Sequence, residues 1–292
     1  MLRRMGTYTI KPVRGYWFTQ YLLKILRGRS GCFNTTLDLG FTLTRVCVEN
    51  GKLLLRDNVI GLESLKLTSD DRVLLYSFSE GVYEVVRSTS TGYYKLKAIA
   101  LDKAPTLEIN GIHMHRITEI DPWSDAKLKV ARLGVKPGER VLDTCLGLGY
   151  TAIHSLLRGA SQVISFEIDP NVLWIAERNP WSHRLVDNRI VIYNDDVTRG
   201  IADLPSNHFD KVLHDPPRYS KSTGELYSLE FYRELYRVLK PGGKLYHYTG
   251  EPRKHGTPSI VKGIGERLRK AGFYPVFFDH RSLGYIAIKP KT

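Results

Sequence analysis

Val141-Leu142-Asp143-Thr144-Cys145-Leu146-Gly147-Leu148-Gly149-Tyr150-Thr151-Ala152-Ile153 decides how this chain is read. Two apolar residues, Val141 and Leu142, suit a buried strand. A carboxylate, Asp143, stands where that strand ends. Gly147 and Gly149 then make a turn in which backbone can approach a ligand without a Cβ in the way. Apolar residues at helical spacing follow. This is the first strand-turn-helix unit of an open α/β sheet, a fold that binds ligands beyond the carboxyl ends of its strands.

Moving outward, the pattern repeats. An apolar strand at 162–166 ends in Glu167-Ile168-Asp169-Pro170, and one at 190–193 in Asn194-Asp195-Asp196. A strand at 211–214 ends in Asp215-Pro216-Pro217-Arg218. Any one of these acids, taken singly, reads best as a strand-end or capping residue. Four in succession at one sheet edge read as a binding site. Strands at 244–248, 273–278 and 285–288 complete a seven-stranded sheet whose last pair is antiparallel.

The series resembles the class I S-adenosylmethionine-dependent methyltransferases, over roughly residues 122–292. Asp143 with Gly147 and Gly149 resembles their first motif, with Cys145 standing where the first glycine usually falls. The resemblance implies that Asp143, Cys145, Gly147 and Gly149 surround the methionine end of the cofactor. Glu167 matches the acid that holds the ribose hydroxyls, and Asp196 or its neighbour Asp195 the acid near the adenine amine. Asp215-Pro216-Pro217 matches the motif of enzymes that methylate exocyclic amines of nucleobases. Arg218 departs from that motif, which usually has an aromatic there; Tyr219 follows one place later.

The chemistry explains why these residue types are needed. An aromatic amine is a poor nucleophile because its lone pair is delocalised. A carboxylate and a backbone carbonyl that both accept from its N–H groups favour a pyramidal nitrogen. Asp215 and the Pro216 carbonyl suit those two roles, since prolines fix φ and stiffen the loop. Tyr219 is placed to stack on the base, and Arg218 to stack or to meet a phosphate. A cysteine nucleophile is not expected at Cys145, because Asp143 beside it disfavours the thiolate. His214, one residue before Asp215, reads as a core or supporting histidine. Trp181 reads either as a helix-end packing residue or as a border of the adenine pocket.

Charge and composition bound the partners. The 292 residues carry a net charge of +13. Residues 1–37 hold seven Lys/Arg and no acid, residues 251–292 hold nine against three acids, and the stretch between is balanced at 27 of each. Two basic ends around a neutral middle suit a polyanion. Residues 1–31 interleave Arg3, Arg4, Lys11, Arg14, Lys24, Arg27 and Arg29 with Tyr8, Tyr16, Trp17, Phe18 and Tyr21. This segment is read with equal weight as an RNA-binding arm or as an arm packed on the body by its aromatics. Residues 32–120 read as a small β-rich domain. Leu37, Leu39, Phe41 and Leu43 alternate as in a strand, Asn50-Gly51 and Asn110-Gly111 mark hairpins, and a further hairpin is centred on the Ser/Thr/Gly run before Tyr93. His113 and His115 have no further ligand at metal-binding spacing, so no metal is expected. Cys32, Cys47 and Cys145 show no even pairing, which predicts a reducing, cytoplasmic setting without a disulfide framework. No apolar run suits a membrane span, and the basic N-terminus lacks the features of a signal peptide.

The expectation is an α/β enzyme using S-adenosylmethionine, with residues 121–292 as its methyltransferase domain and RNA as its partner. The whole chain is similar to a group of archaeal RNA methyltransferases, which implies cytosine N4 of rRNA, with mono- and dimethylation both open. Guanine N2 of tRNA and adenine N6 need the same two acceptors and stay open as targets. Other classes are a small-molecule methyl- or aminopropyltransferase, which requires an acidic pocket, and an RNA-binding protein that no longer turns over.

Overall fold

The structure, a computed structural model, describes residues 6–56, 58–250 and 258–291. Arg3 and Arg4 of the basic N-terminal segment, and Arg253 and Lys254 of the other basic end, lie outside these residues. The chain divides into two compact units. One comprises residues 10–124 and 171–184; the other comprises residues 1–9, 125–170 and 185–292. The boundaries expected at 31 and 120 therefore differ from the observed ones, and the reasons lie in the packing.

Strand β1 (Thr7–Tyr8) belongs to the second unit. The first unit opens with β2 (Gly15–Phe18) and helix α1 (Gln20–Arg27). Thr19 caps the helix by accepting from the Leu22 N–H. Its leucines at 22, 23 and 26 then face one way and are buried with Phe18. Trp17 and Phe18 are 3% and 0% exposed, and the Trp17 indole N–H donates to the Arg178 carbonyl at 2.8 Å. These aromatics are core residues of the unit and cannot stack on a base. Packing, one of the two readings of the segment, holds for them.

Strands β3 (Gly31–Thr35), β4 (Thr44–Glu49), β5 (Lys52–Leu55) and β6 (Asn58–Gly61) form a four-stranded meander. The expected strand through Leu37 to Leu43 is instead a turn. Thr36 Oγ1 accepts from the Gly40 N–H, and Asp38 accepts from the Thr42 N–H and hydroxyl. These local bonds outcompete the ladder that alternation suggested. With the turn in place, Cys32 and Cys47 face each other across β3 and β4 and form a disulfide. The expectation of no disulfide is thus corrected.

Strand β7 (Leu74–Ser77) pairs with β2 and with β8 (Gly81–Glu84). Strands β9 (Val86–Thr89), β10 (Gly92–Lys97), β11 (Thr106–Ile109) and β12 (Ile112–His113) form the third sheet. Asn50-Gly51 and Asn110-Gly111 turn their hairpins with positive φ at both residues. His113 pairs with Glu108 at 2.9 Å, and His115 with Thr106 at 3.0 Å.

Helix α2 (Pro122–Leu133) begins at Pro122, behind Asp121, as its sequence predicts. The second unit contains β13 (Arg140–Asp143), α3 (Tyr150–Leu157) and β14 (Gln162–Phe166). Helix α4 (Pro170–Glu177) and a 3-10 turn (Pro180–Val186) follow. Most of α4 belongs to the first unit, where Arg178 lies 3.8 Å over the Trp174 ring and donates to both Glu80 oxygens at 3.0 Å. Trp181 donates to the Leu39 carbonyl and packs edge-on against Phe41. These contacts are to the turn at residues 36–43.

Next come β15 (Ile190–Tyr193), α5 (Val197–Gly200), β16 (Phe209–His214), α6 (Leu229–Val238), β17 (Leu239–Tyr248), α7 (Pro258–Lys270), β18 (Val276–Asp279) and β19 (Gly284–Ile288). The sheet order is β1-β15-β14-β13-β16-β17-β19-β18. The five strands from β15 to β17 are parallel, and β19 and β18 close the sheet antiparallel. This is a Rossmann-like sheet of seven strands with β1 added antiparallel at its edge. Strand order reverses at β13/β16, which opens the crevice where ligands bind in such sheets. Val141, Leu142, Val212 and Leu213 are fully buried, as central parallel strands covered on both faces require.

Candidate active site

The turn after β13 is pinned from both sides. The Thr144 N–H donates to the Leu213 carbonyl on β16 at 3.0 Å, and the Leu146 N–H to the Phe166 carbonyl on β14 at 2.8 Å. Gly147 and Gly149 hold φ of 55° and 76°, conformations that favour glycine. A Cβ on Gly149 would meet the Leu185 side chain at 2.6 Å, whereas one on Gly147 would meet nothing within 4 Å. The two glycines therefore differ in purpose. Gly149 permits close packing, and Gly147 leaves backbone facing open space.

Two carboxylates border this space. Asp143 is 1% exposed. Its Oδ2 accepts from Thr151 Oγ1 at 2.8 Å, while Oδ1 is buried and makes no hydrogen bond within the described residues. Burial pushes its pKa up to about 7; the Thr151 bond restrains the shift, and the Asp215 and Glu167 charges add to it. Glu167, at the end of β14, accepts from the Gly147 and Asp169 N–H groups, both at 3.0 Å. Burial raises its pKa to about 7 against those two bonds. Buried acids held so high fit a cationic ligand, and the orphaned Asp143 Oδ1 fits an amine donor. The residues present therefore suit a molecule carrying an ammonium and a sulfonium.

Asp195 and Asp196 have separate structural duties. Asp196 caps α5, its Oδ1 accepting from Thr198 N at 2.9 Å and Thr198 Oγ1 at 2.8 Å. Asp195 Oδ1 accepts from the Asp196 N–H at 2.9 Å. Asn194, beside them, donates to the Glu167 carbonyl at 2.7 Å and ties the ends of β14 and β15. Ile168, next to Glu167, is 64% exposed, an apolar surface at the ligand edge that the sequence reading passed over.

At the end of β16, Asp215 is only partly exposed and the two prolines follow. Asp215 Oδ2 accepts from Lys129 Nζ at 2.7 Å. Lys129 is 2% exposed, sits 3.0 Å from Asp125 Oδ2, and lies 3.8 Å from the centre of the Tyr248 ring. Burial alone would depress the Lys129 ammonium; the Asp215 and Asp125 charges hold its pKa well above the ordinary value. The Pro217 carbonyl accepts from the Tyr227 hydroxyl at 2.7 Å. Among the described residues, nothing donates to the Pro216 carbonyl or to Asp215 Oδ1. Arg218 and Tyr219 are exposed, and the Tyr219 ring meets Tyr227 edge-on at 5.5 Å.

His214 connects these parts. Its Nε2 lies 2.9 Å from the Leu226 carbonyl, so Nε2 donates; Nδ1 then accepts from the Thr144 hydroxyl at 2.7 Å. Burial lowers its pKa to about 3, and it stays neutral. It is a supporting histidine between the turn after β13 and the segment after Asp215. Burial, with Glu167 and Asp143 nearby, raises the Cys145 thiol well above its ordinary pKa, so it is no thiolate nucleophile.

Lys129 was missed in the sequence. The signal was present: Asp125 and Lys129 fall one turn apart on the same face of α2 as Ala126 and Val130, which are buried. A paired acid and lysine on an apolar helix face are out of place unless they have buried partners.

The uncharacterized protein MJ1233 of Methanocaldococcus jannaschii is 39% identical, with alignment over 98% of this chain and 100% of that one. The chain belongs to the MJ1233 family. The profile of the family described as Conserved hypothetical protein 95 matches residues 130–260. A polyamine aminopropyltransferase of Mycobacterium tuberculosis is 35% identical over 133 residues, 42% of this chain and 24% of that protein. Ribosomal RNA large subunit methyltransferase I of Aeromonas hydrophila is 26% identical over 119 residues, 38% of this chain and 30% of that protein. Each of these two thus shares only a segment with the MJ1233 family member described here. Among solved structures, spermidine synthase from Thermotoga maritima superposes with a TM-score of 0.56 at 19% identity, covering 71% of this chain and 72% of that one. The parallel-sheet unit thus has the Rossmann-like fold that this likeness shows.

Proposed function

We propose that this protein methylates an exocyclic amine of an RNA base, with cytosine N4 of ribosomal RNA the favoured target. One observation carries the reading. Beside the cofactor turn, Asp215 Oδ1 and the Pro216 carbonyl are two acceptors with no donor among the described residues, while Oδ2 and the Pro217 carbonyl are taken by Lys129 and Tyr227. Two acceptors match the two N–H groups of a primary aromatic amine. S-adenosylmethionine, the cofactor this reading requires, would supply a methyl group from its sulfonium and itself become a neutral thioether. Asp143 and the Gly147 turn hold its methionine end, Glu167 its ribose, and Ile168 with Asp195 or Asp196 its adenine; Cys145 and Gly149 shape the turn. The nitrogen that receives the methyl group must shed one proton, and Asp215 Oδ1 takes it and passes it to water. Tyr219 and Arg218 stack on the base or meet its phosphate. The basic ends hold the RNA. The likeness to a ribosomal RNA methyltransferase supports RNA; cytosine N4 rests on the resemblance of the whole chain to archaeal RNA methyltransferases, and guanine N2 of tRNA uses the same acceptors.

A second reading is favoured by the aminopropyltransferase likeness and by the acids at the crevice: transfer to a polyamine. Against it, the Lys129 ammonium lies 2.7 Å from Asp215 and opposes a cationic acceptor there. Incubation with labelled S-adenosylmethionine, or its decarboxylated form, and separate pools of unmodified ribosomal RNA, tRNA and polyamines tests both readings. Label on N4-methylated cytidine is the expected outcome. Label on guanosine keeps the chemistry and changes the target. Label confined to polyamines overturns the RNA reading.

A further inference from the structure

We propose that Lys129 is the positioning residue of the transfer step: it holds Asp215 by one carboxylate oxygen, leaves the other for the acceptor amine, and keeps the acid ionised to receive the proton. This rests on the reading of Asp215 as the amine acceptor.

The geometry fixes the Lys129 ammonium from three directions. Asp215 Oδ2 lies at 2.7 Å, Asp125 Oδ2 at 3.0 Å, and the Tyr248 ring face at 3.8 Å. An ion pair that served stability alone gains little from such burial, because desolvation of both partners offsets their attraction. What burial does supply is a single geometry. A supporting partner that cannot move holds a functional carboxylate in one orientation. Asp125, one turn away on the same helix, holds the lysine in turn.

The groups around Asp215 decide its charge state. Lys129 and Asp125 face it from α2, Asp143 from β13, Cys145 from the turn after β13, Tyr246 from β17, and Tyr227 from the turn before α6. Lys129 is the one cation of this set. Burial raises the Asp215 pKa, the Asp125 charge adds to the shift, and Lys129 opposes both. Without the lysine, Asp215 would keep its proton to higher pH and could neither accept from the amine nor take its proton.

The test uses the full chain with Lys129→Met, Lys129→Gln and Lys129→Arg. Melting curves select variants that fold, and the neutral Gln serves if Met does not. With unmodified ribosomal RNA transcripts, Met or Gln should lower kcat about 100-fold, leave the cofactor KM nearly unchanged, and move the acid limb of the pH–rate profile to higher pH. Arg should restore part of kcat. A purely structural lysine would leave the profile where it was, and wild-type kcat and profile in Met or Gln would overturn the proposal. Carbon-13 NMR of the Asp215 carboxyl separates failure of the proposal from failure of the reading beneath it. If wild type methylates no RNA, that reading falls. Whatever the activity, an Asp215 titration that does not move between wild type and Lys129→Met overturns the role given to Lys129.

Discussion

Asp143 illustrates how a single residue couples stability to ligand. Its pKa is raised from 3.8 to about 7 in the folded chain, so folding favours the protonated form. The stability this acid contributes is fully present below about pH 4 and is lost as pH rises through about 7. Asp143→Asn removes the buried charge. It should raise the melting temperature of the cofactor-free protein at pH 8, do little at pH 4, and weaken S-adenosylmethionine binding. Thermal scans at both pH values and calorimetry check this; equal melting temperatures at pH 8 would remove the charge argument. Asp215→Ala addresses chemistry instead. It should lower kcat by about 10²- to 10⁴-fold, the range for a lost acid–base group, with cofactor affinity nearly unchanged. Turnover near wild type would take Asp215 out of the mechanism.

Among the elements, the disulfide between β3 and β4 has a consequence open to measurement. It closes a loop with a sequence separation of 15 residues, worth about 3 kcal/mol on chain-entropy grounds. Cys32→Ser with Cys47→Ser should lower stability by up to that amount in denaturant titration. An unchanged midpoint would show that the hairpin alone sets the register. This pair also shows where sequence reading stopped. Strand-end acids and the glycine turn after β13 are local signals, legible in a dozen residues. Cys32 and Cys47 become neighbours only once residues 36–43 are known to turn, and their alternating apolar pattern pointed the other way. Lys129 and Asp215 lie 86 residues apart, and only the sheet brings α2 to the end of β16. Trp17 and Phe18 were ambiguous for a different reason. Aromatics among cations have the same composition whether they stack on bases or fill a core, and only burial separates the two.

At the scale of the whole molecule, the charge pattern can be tested without cutting the chain. Deleting residues 1–31 would remove Trp17, Phe18 and the leucines of α1 from the core of the first unit, and a fall in RNA binding would then report a failure to fold. Neutralising Arg3, Arg4, Lys11, Arg14, Lys24 and Arg29 by Gln avoids this. If these cations meet phosphates, RNA affinity should fall and its logarithmic salt slope should flatten by about 0.7 for each phosphate of a single strand that is no longer neutralised. An unchanged slope would assign them to the solvated surface. The interleaving of the two units has a wider consequence. Because residues 171–184 are counted with the N-terminal unit, the front of the chain is not a detachable module. A recombination event that replaced residues 10–124 would strand Trp174, Arg178 and Trp181 without Glu80, Tyr83 and Leu39. Change in either unit is therefore expected to travel with compensating change in this short segment, so that lineages inherit the pair as one piece.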